Sequence, residues 1–231
     1  MSVTDLDENA ERKETLASLI YDRLRKDIIS VAVTPGEKLH IKSLSERFDV
    51  GLSPVREALS RLSTEGLVAQ NDHRGFTVAP VSENDLVDLT RARCWLNEVA
   101  IRKSIENGDA AWEETVVLCF HRLSRTPRFA PGVETERSEA WETAHRNFHT
   151  SLISASGSGR LAHYCEQLFD SAERYRHIGR RAGVKGNRDK EHRDLMEAVV
   201  ARDAEKAARL INRHFERTAD LVREVLKRQG R

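Results

Sequence analysis

The segment PGEKLHIKSLSERFDVGLSPVREALSRLSTEGLVAQNDHRGFTV, residues 35–78, decides the fold of the first part of the chain. Apolar residues at helical spacing predict a short helix and then a second helix that begins at Ser53-Pro54. A serine hydroxyl accepts from a free amide of the first turn, and proline suits the first helical position. Gly66 is a natural terminator of this second helix. The segment therefore predicts two consecutive helices joined by a tight turn.

Two short β segments follow the second helix, around residues 67–69 and 76–79. The polar turn between them contains glycine, which is typical of a hairpin. A further helix, with apolar positions from Leu16 to Ile28, precedes the segment. The order helix, helix, helix, hairpin is that of a winged helix-turn-helix, in which the second helix of the turn fits the major groove of DNA.

The first turn of that second helix and the tip of the hairpin supply the candidate DNA contacts. An arginine in the first turn can pair with guanine or clamp a phosphate. A glycine at the hairpin tip lets the backbone approach DNA closely or completes the tight turn. The candidates are Leu52, Ser53, Arg56, His73, Arg74 and Gly75.

Several of these residues also have a purely structural interpretation. Arg56 alone would usually form a surface pair with a neighbouring carboxylate. His73 at a turn tip is often only solvated, and Leu52 is either a core residue of the turn or a contact to a thymine methyl group. Because helix start, turn and hairpin occur in the expected order, DNA contact is the favoured interpretation for Arg56.

The motifs PG-x-x-L, PVREAL, L-x-x-EGLV and RGF-x-V occur in order over roughly residues 15–80. Together they closely resemble the DNA-binding domain of the GntR family of bacterial transcription regulators. Many members carry arginine where this chain has Leu52, which implies that one contact is missing and that the operator differs from the commonest one. The residues that the resemblance places at an operator are Lys42, Ser53, Arg56, Arg74 and Gly75.

Net charge neither reveals nor excludes DNA binding. The chain has 38 Lys and Arg residues against 37 Asp and Glu, a formal net charge of +1. Residues 15–80 contain nine basic and eight acidic residues, so placement matters more than number. Lys42, Arg56 and Arg74 lie on the segments that should meet the duplex. A single copy offers few phosphate contacts, so useful affinity is expected to need a homodimer on two half-sites of double-stranded operator DNA.

The chain after Pro80 is expected to form an all-α bundle. Ser82 and Asp85 resemble a capping box that opens a helix. The predicted helices span about residues 83–107, 110–125, 136–155, 159–180, 188–201 and 203–228, with no convincing strand among them. The sequence thus predicts a mainly α chain, with a flexible arm at 1–14, a winged helix-turn-helix at 15–80 and a helical-bundle effector domain at 81–231.

Composition argues against several other classes of protein. Charged residues make up 32% and hydrophobic ones 39%, which is typical of a soluble globular chain. No apolar stretch approaches the roughly 18–20 residues needed to cross a bilayer, and the polar N-terminus is unlike a signal peptide. The 3 cysteines form no C-x-x-C pair, so a disulfide framework is not expected and a cytoplasmic location is.

Four histidines of the helical part are predicted to face its interior. His145 and His149 are four residues apart and share a helix face. His192 and His214 lie on apolar stripes of two further helices. Histidines that converge from several helices can hold a metal in a bundle core. The alternative is that each is a core histidine bonded to a carbonyl group, and the sequence alone leaves both interpretations open.

The motifs F-H-x-x-L-x-x-A-S-G and E-H-x-x-L-x-x-A-x-x-x-x-D-x-x-x-A resemble the FCD effector domain found in one branch of the same family. Such domains commonly hold a metal through one aspartate and three histidines. By position, His149, His192 and His214 match the histidines, and His145 replaces the aspartate. Imidazole ligands suit a divalent transition metal such as Zn or Ni better than Mg or Ca. Four neutral imidazoles leave the full +2 charge on the metal, which favours an anionic effector.

The resemblance also implies a small carboxylate effector. Arg93 resembles a family position where an inward arginine grips that carboxylate. A salt bridge on its own helix is the weaker interpretation, because Asp88 and Glu98 each lie five positions away. Secondary candidates are Arg174, Tyr175 and Arg176, in a basic stretch that is otherwise explained as solvated.

The sequence therefore predicts a DNA-binding transcription regulator, with repression as the commoner family behaviour, that a small organic acid controls through the metal site. One alternative makes the helical part a dimerisation module with a structural metal. Another makes it a histidine-ligated metalloenzyme, although no general-base or nucleophile motif accompanies the histidines. No enzymatic activity and no membrane partner are expected.

Overall fold

A computed structural model describes residues 15–71, 75–130, 132–182 and 189–228. The chain forms two compact units, Met1–Pro80 and Val81–Arg231. The predicted arm at 1–14 and the predicted contacts His73 and Arg74 lie outside the described residues.

The first unit contains three helices and a three-stranded sheet. Its elements are α1 (Leu16–Ile29), β1 (Lys38–Leu39), α2 (Ile41–Phe48), α3 (Leu52–Thr64), β2 (Val68–Asn71) and β3 (Gly75–Val78). The sheet is antiparallel in the order β1-β3-β2, with Leu39 opposite Phe76 and Val68 opposite Val78. The apolar faces of α1 and α3 pack on this sheet around Leu24, Leu59 and Leu62. The predicted winged helix-turn-helix is confirmed.

Two local predictions for this unit are wrong. β1 was not expected, because a two-residue strand has no readable alternation. It forms since the turn at Pro35–Gly36 brings Glu37 to Val78, whose amide donates to the Glu37 carbonyl at 2.8 Å. Ser53 is not the N-cap of α3: the helix begins at Leu52, and Gly51 caps it without a side-chain hydrogen bond. Pro54 then stands third in the helix, where its missing amide still costs no intrahelical bond.

The second unit is helical apart from one small hairpin. Its elements are α4 (Glu83–Asn107), α5 (Ala110–Arg125), β4 (Phe129–Ala130), β5 (Val133–Arg137), α6 (Glu139–Ile153), α7 (Gly159–Arg181), α8 (Asp189–Val200) and α9 (Ala204–Arg228). Side-chain caps begin α4 to α7, at Ser82, Asp109, Ser138 and Ser158, and Asp203 accepts from the Lys206 amide at the start of α9. The long helices α4 and α9 pack together, and α7 contacts both. The predicted fold class is confirmed.

The β4–β5 hairpin corrects the prediction of a strand-free region and of a helix that begins at 136. Gly132 has φ +78°, a left-handed conformation that suits glycine and permits the tight turn. The amide of Ser138 donates to the Arg128 carbonyl at 3.1 Å, and its hydroxyl donates to the Pro127 carbonyl at 2.6 Å. The same hydroxyl accepts from the Trp141 amide at 3.1 Å, so one serine joins the hairpin to α6.

The core of the second unit lies between its helices. Phe148, Leu152, Leu195 and Ile211 are almost completely buried there. The indole of Trp112 donates to the Ser151 carbonyl at 2.8 Å, which fixes α5 against α6. Among the described residues, no helix has the length and apolar character that spanning a membrane requires.

Candidate nucleic-acid interface and metal centre

The α2–α3 turn presents one face of α3 to solvent. Asp49 ends α2 in the left-handed conformation with φ +52°, and the Ser45 hydroxyl donates to the Val50 carbonyl across the turn. The inner face of α3 is buried, with Val55 and Leu59 fully enclosed. The opposite face exposes Leu52, Ser53 and Arg56. Leu52 is 53% exposed, so it is not a core residue of the turn.

Several other cations of this unit have partners within the fold. Arg47 pairs with Asp27 at 2.7 Å, and Arg25 pairs with Glu65 at 3.4 Å. The Arg61 guanidinium lies 4.1 Å from the centre of the Tyr21 ring. By contrast, Arg56 and Lys42 form neither an ion pair nor a hydrogen bond with the part of the chain that the structure describes. The surface-pair interpretation of Arg56 is therefore not observed.

Gly75 begins β3 at the base of the hairpin turn. Its φ is +81°, a conformation that L side chains rarely adopt, and its position is exposed. A side chain at this position would be strained whatever the space around it. The glycine is thus required by the turn itself, independently of any DNA contact.

Four buried histidines converge in the core of the second unit. His145 and His149 come from α6, His192 from α8 and His214 from α9. One ligand atom from each lies within 4.8 Å of the others. The ring centres of His145 and His149 are 4.6 Å apart, and those of His192 and His214 are 4.9 Å apart. This is a spacing at which four imidazoles can share one ion.

Two histidines of the cluster are in the neutral form that a metal requires. Burial, together with the neighbouring histidines, lowers the pKa of His145 and His149 well below the ordinary value, so both are neutral at pH 7. Neutral imidazole is the form that binds metals. Within the described residues, Nδ1 of His145 and Nε2 of His149 are buried without a hydrogen-bond partner. The core-histidine interpretation requires a bond from each histidine to a carbonyl group, and neither of these two atoms forms one.

Glu191 orients one member of the cluster. Its Oε2 lies 2.8 Å from Nδ1 of His214, and its Oε1 accepts from Arg217 at 2.9 Å. A carboxylate on the far nitrogen of a histidine fixes the ring and raises its basicity as a ligand. Four nitrogen donors with this support fit a transition metal and do not fit Mg or Ca, which prefer oxygen.

A cavity of about 60 Å³ opens beside the histidines. Its wall includes His145, His192 and His214, and four arginines: Arg128, Arg137, Arg176 and Arg180. Neither Arg137 nor Trp141 is among the residues predicted from the sequence to bind the effector. Arg137 ends the β4–β5 hairpin, for which the sequence gives no clear signal.

Two of the four predicted effector residues, Arg176 and Arg93, lie near the histidine cluster. Arg176 lines the cavity and pairs with Glu173. Arg93 is buried with its guanidinium 3.8 Å from the centre of the Phe215 ring, and its Nε has no hydrogen-bond partner among the described residues. Burial and the charge of Arg176 lower the pKa of Arg93 to about 9. Arg93 neighbours the cluster, because its charge acts on His149, but it does not line this cavity.

Tyr175 and Arg174 lie elsewhere in the unit, contrary to the expectation that they face the effector. The Tyr175 hydroxyl donates to Oδ2 of Asp85 at 2.5 Å and accepts from the Ser82 amide at 3.2 Å. Burial and the bond to Asp85 raise its pKa. Arg174 is buried near Tyr175 and Asp85. The bonds of Tyr175 hold the start of α4, and neither Tyr175 nor Arg174 lines the cavity.

A second group of potential ligands is an ion-pair network. Glu142, Glu173 and His177 lie close together, but Arg180 bonds Glu142 at 2.8 Å and Glu173 at 3.3 Å. Burial opposes ionisation of Glu173, yet the charge and hydrogen bond of Arg176, with Arg180 and His177, hold its pKa well below the usual range. The arginines already neutralise these carboxylates, so the network holds α6 to α7.

The winged helix-turn-helix, with free cations on its exposed helices, defines a DNA-binding protein. Residues 16–78 match the sequence profile of the bacterial regulatory proteins of the gntR family, and residues 88–217 match that of the FCD domain. The chain belongs to the GntR family and is a DNA-binding transcription regulator.

Similar proteins agree with this assignment. The uncharacterised HTH-type transcriptional regulator BphR of Paraburkholderia xenovorans is 36% identical over 91% of this chain and 86% of its own length. The HTH-type transcriptional repressor GlaR of Escherichia coli is 33% identical over 89% of this chain and 95% of its own. The solved structure of E. coli McbR/YncC shares the fold, with a TM-score of 0.70 at 21% identity over 94% of this chain and 99% of that one. These relatives are regulators, so the prediction that the chain is not an enzyme is confirmed.

Proposed function

We propose that the chain is a repressor whose affinity for its operator is set by a small organic acid bound at a histidine-held metal. The observation that carries this proposal is the convergence of four buried histidines on a cavity walled by arginines. A divalent transition metal, Zn or Ni, would be held by His145, His149, His192 and His214. Bound there, it would supply a positive centre for a carboxylate oxygen.

The operator contacts are proposed on the exposed face of the first unit. Arg56 and Lys42 are free of partners in the described residues, and Leu52 and Ser53 lie beside Arg56 at the start of α3. A free guanidinium at this place is available for a guanine edge or a phosphate. The sequence adds His73, Arg74 and Gly75 at the hairpin.

A homodimer is proposed as the working form, in the cytoplasm, where a regulator meets the chromosome. One unit offers only a few cations to phosphates, and a two-fold dimer doubles them on two half-sites. Trp95 and Val99 of α4 are 65% and 52% exposed, although large apolar side chains favour burial. Ligand control then requires that the acid prefer one arrangement of the dimer over the other.

Two other functions fit less well. A purely structural metal would not call for a cavity with cationic walls next to the ligands. Catalysis at the metal would give the DNA-binding unit no role, and the relatives are transcriptional regulators.

The test measures metal, acid and DNA binding on the same protein. Protein purified with Zn or Ni is assayed by elemental analysis, by calorimetry with a panel of short organic acids, and by anisotropy on operator DNA selected by the protein from a random library. His149→Ala is expected to lose the metal and the acid response, whereas His163→Ala, an exposed histidine of α7, retains both. A wild-type protein that carries metal but whose operator affinity ignores every acid would overturn the proposal in favour of a structural metal.

A further inference from the structure

Arg137 stands out among the cavity arginines because it forms no ion pair with a carboxylate of the described residues, although the charge of Glu173 acts on it from a distance. Arg128 pairs with Asp189 at 2.8 Å, Arg176 pairs with Glu173, and Arg180 pairs with Glu142. Arg137 forms no ion pair within the described part of the chain, and its Nε and Nη1 are buried without a hydrogen-bond partner there. Burying donor atoms of a charged group without acceptors is costly, so this arrangement suits an acceptor that arrives from outside.

The charges around Arg137 also favour the binding of an anion. Burial and the charges of Arg128 and Arg180 lower the pKa of Arg137 to about 9. The guanidinium remains charged at neutral pH, although its neighbours disfavour that charge. An anion placed among these arginines would offset both the repulsion between the guanidinium groups and the cost of burying the charge of Arg137.

The position of Arg137 is fixed relative to the histidines by a stack of planar groups. Its guanidinium lies 3.9 Å from the centre of a Trp141 ring. Trp141 in turn stacks on His145, with ring centres 4.7 Å apart and planes 16° from parallel. Arg137 ends β5, and Ser138 anchors that strand to the first turn of α6. One aromatic ring therefore separates the free guanidinium from the metal-ligand cluster, within one cavity.

We propose that the cavity holds a short dianion, most simply a dicarboxylate, with one acidic group at the histidine cluster and the second on Arg137. This inference rests on the proposed function and adds a second anion subsite to it. A planar guanidinium offers two parallel N–H groups, which match the two oxygens of a carboxylate. A monocarboxylate of the same length would leave these donors unmatched.

The test compares acids that differ only in the second carboxylate. Malonate, succinate and glutarate are titrated into metal-loaded, full-length protein beside propionate, butyrate and valerate, with calorimetry as the readout. At least one dicarboxylate is expected to bind about 10- to 100-fold more tightly than its monocarboxylate partner, as a charge-assisted pair contributes. Arg137→Gln is expected to reduce that preference below about threefold without changing monocarboxylate affinity or metal content.

Two further variants serve as controls for the role of Arg137. Arg137→Lys keeps the charge and should retain part of the preference, while Arg122→Gln, an exposed arginine of α5, should retain all of it. Equal binding of both acid types, unchanged in Arg137→Gln, would overturn the second subsite and leave the acid-sensing proposal intact. Absence of binding by all six acids to metal-loaded protein would count against the acid sensor itself, and so against both.

Discussion

At the scale of the single residue, His145 would decide the charge of the proposed metal centre. It occupies the place where a carboxylate is usual in domains of this kind, and it lies against His149 and His192 with ring centres 4.6 and 5.2 Å away. Four neutral ligands leave the charge of a divalent ion undiminished. A substitution at His145 alone should therefore change the affinity of the site for an anion.

His145→Asp is expected to keep the metal and to bind acids about tenfold more weakly, because a carboxylate ligand cancels half of the charge of the ion. Elemental analysis and calorimetry check the two parts separately. His163→Asp adds the same charge at an exposed position and should alter neither quantity. Stronger acid binding in His145→Asp would contradict the electrostatic argument.

Arg56→Ala is expected to reduce affinity for operator DNA by about 1–3 kcal/mol, the usual cost of losing an arginine–base contact. The free energy of unfolding should stay within about 0.5 kcal/mol, since this exposed side chain forms no hydrogen bond, ion pair or ring contact with the described residues. Arg61→Ala is the matched control, because it removes the same charge from the same helix. Arg61 stacks on Tyr21, so its loss should lower stability by about 0.5–1 kcal/mol and leave operator affinity nearly unchanged.

At the scale of the element, α7 is held to α6 by a buried charge network. Glu173 accepts hydrogen bonds from Arg176 and Arg180 on its own helix, and Arg180 extends to Glu142 on α6. Both arginines line the cavity. The network therefore positions the cavity wall while it neutralises part of its charge.

Glu173→Gln is expected to lower the free energy of unfolding by about 3–5 kcal/mol, because it leaves two partly buried arginines without their shared carboxylate. Denaturant titration measures this. Glu166→Gln, an exposed glutamate of the same helix, should change stability by less than about 0.5 kcal/mol. Equal effects of the two substitutions would show that the network contributes nothing.

The same network predicts a pH dependence. Burial and the charge of Arg180 lower the pKa of His177 from 6.5 to about 4. As the pH falls from 7 to 5, the unfolded chain gains a proton at this histidine and the folded chain does not, so the free energy of unfolding decreases. His177→Gln removes this proton, and its stability should fall less steeply, by up to about 2 kcal/mol at pH 5. Urea titrations of both proteins at each pH check the difference.

The extent to which the fold and the candidate site could be predicted from the sequence differs between elements. The bounds of α4 and α5 agree with the sequence, because Ser82 and Asp109 give clear capping signals and the apolar spacing is regular. The four histidines could be placed on inward faces by the same spacing. The β4–β5 hairpin was not predicted, since β4 has only two residues and the five residues of β5 include a single apolar side chain. Arg137 was missed with it, and the role of Tyr175 depends on bonds to Ser82 and Asp85, which lie about 90 residues away in sequence.

At the scale of the whole molecule, the near-neutral charge and the exposed apolar residues point to assembly. A formal net charge of +1 gives little non-specific attraction to DNA. Specific contacts on two half-sites would then have to supply the affinity. We therefore expect the affinity for operator DNA to depend on the oligomeric state of the chain.

Trp95→Glu is expected to shift the protein from dimer to monomer and to weaken operator binding at least about tenfold, because a charge replaces an apolar side chain at the proposed dimer face. Analytical ultracentrifugation and anisotropy on operator DNA provide the two readouts. Tyr164→Glu, at an α7 residue that is 55% exposed, is the control and should remain dimeric. A Trp95→Glu protein that stays dimeric would place the dimer face elsewhere.

The hairpin described by Phe129–Ala130 and Val133–Arg137 is anchored to the helices at one end by Ser138. Its last residue, Arg137, lines the cavity, and none of its residues belongs to the histidine cluster proposed to hold the metal. Exchange of these few residues would consequently alter which acid is accepted while the ion and the DNA-binding unit stay as they are. One scaffold could be redirected among metabolites by a loop graft, which makes this segment the natural starting point for building biosensors.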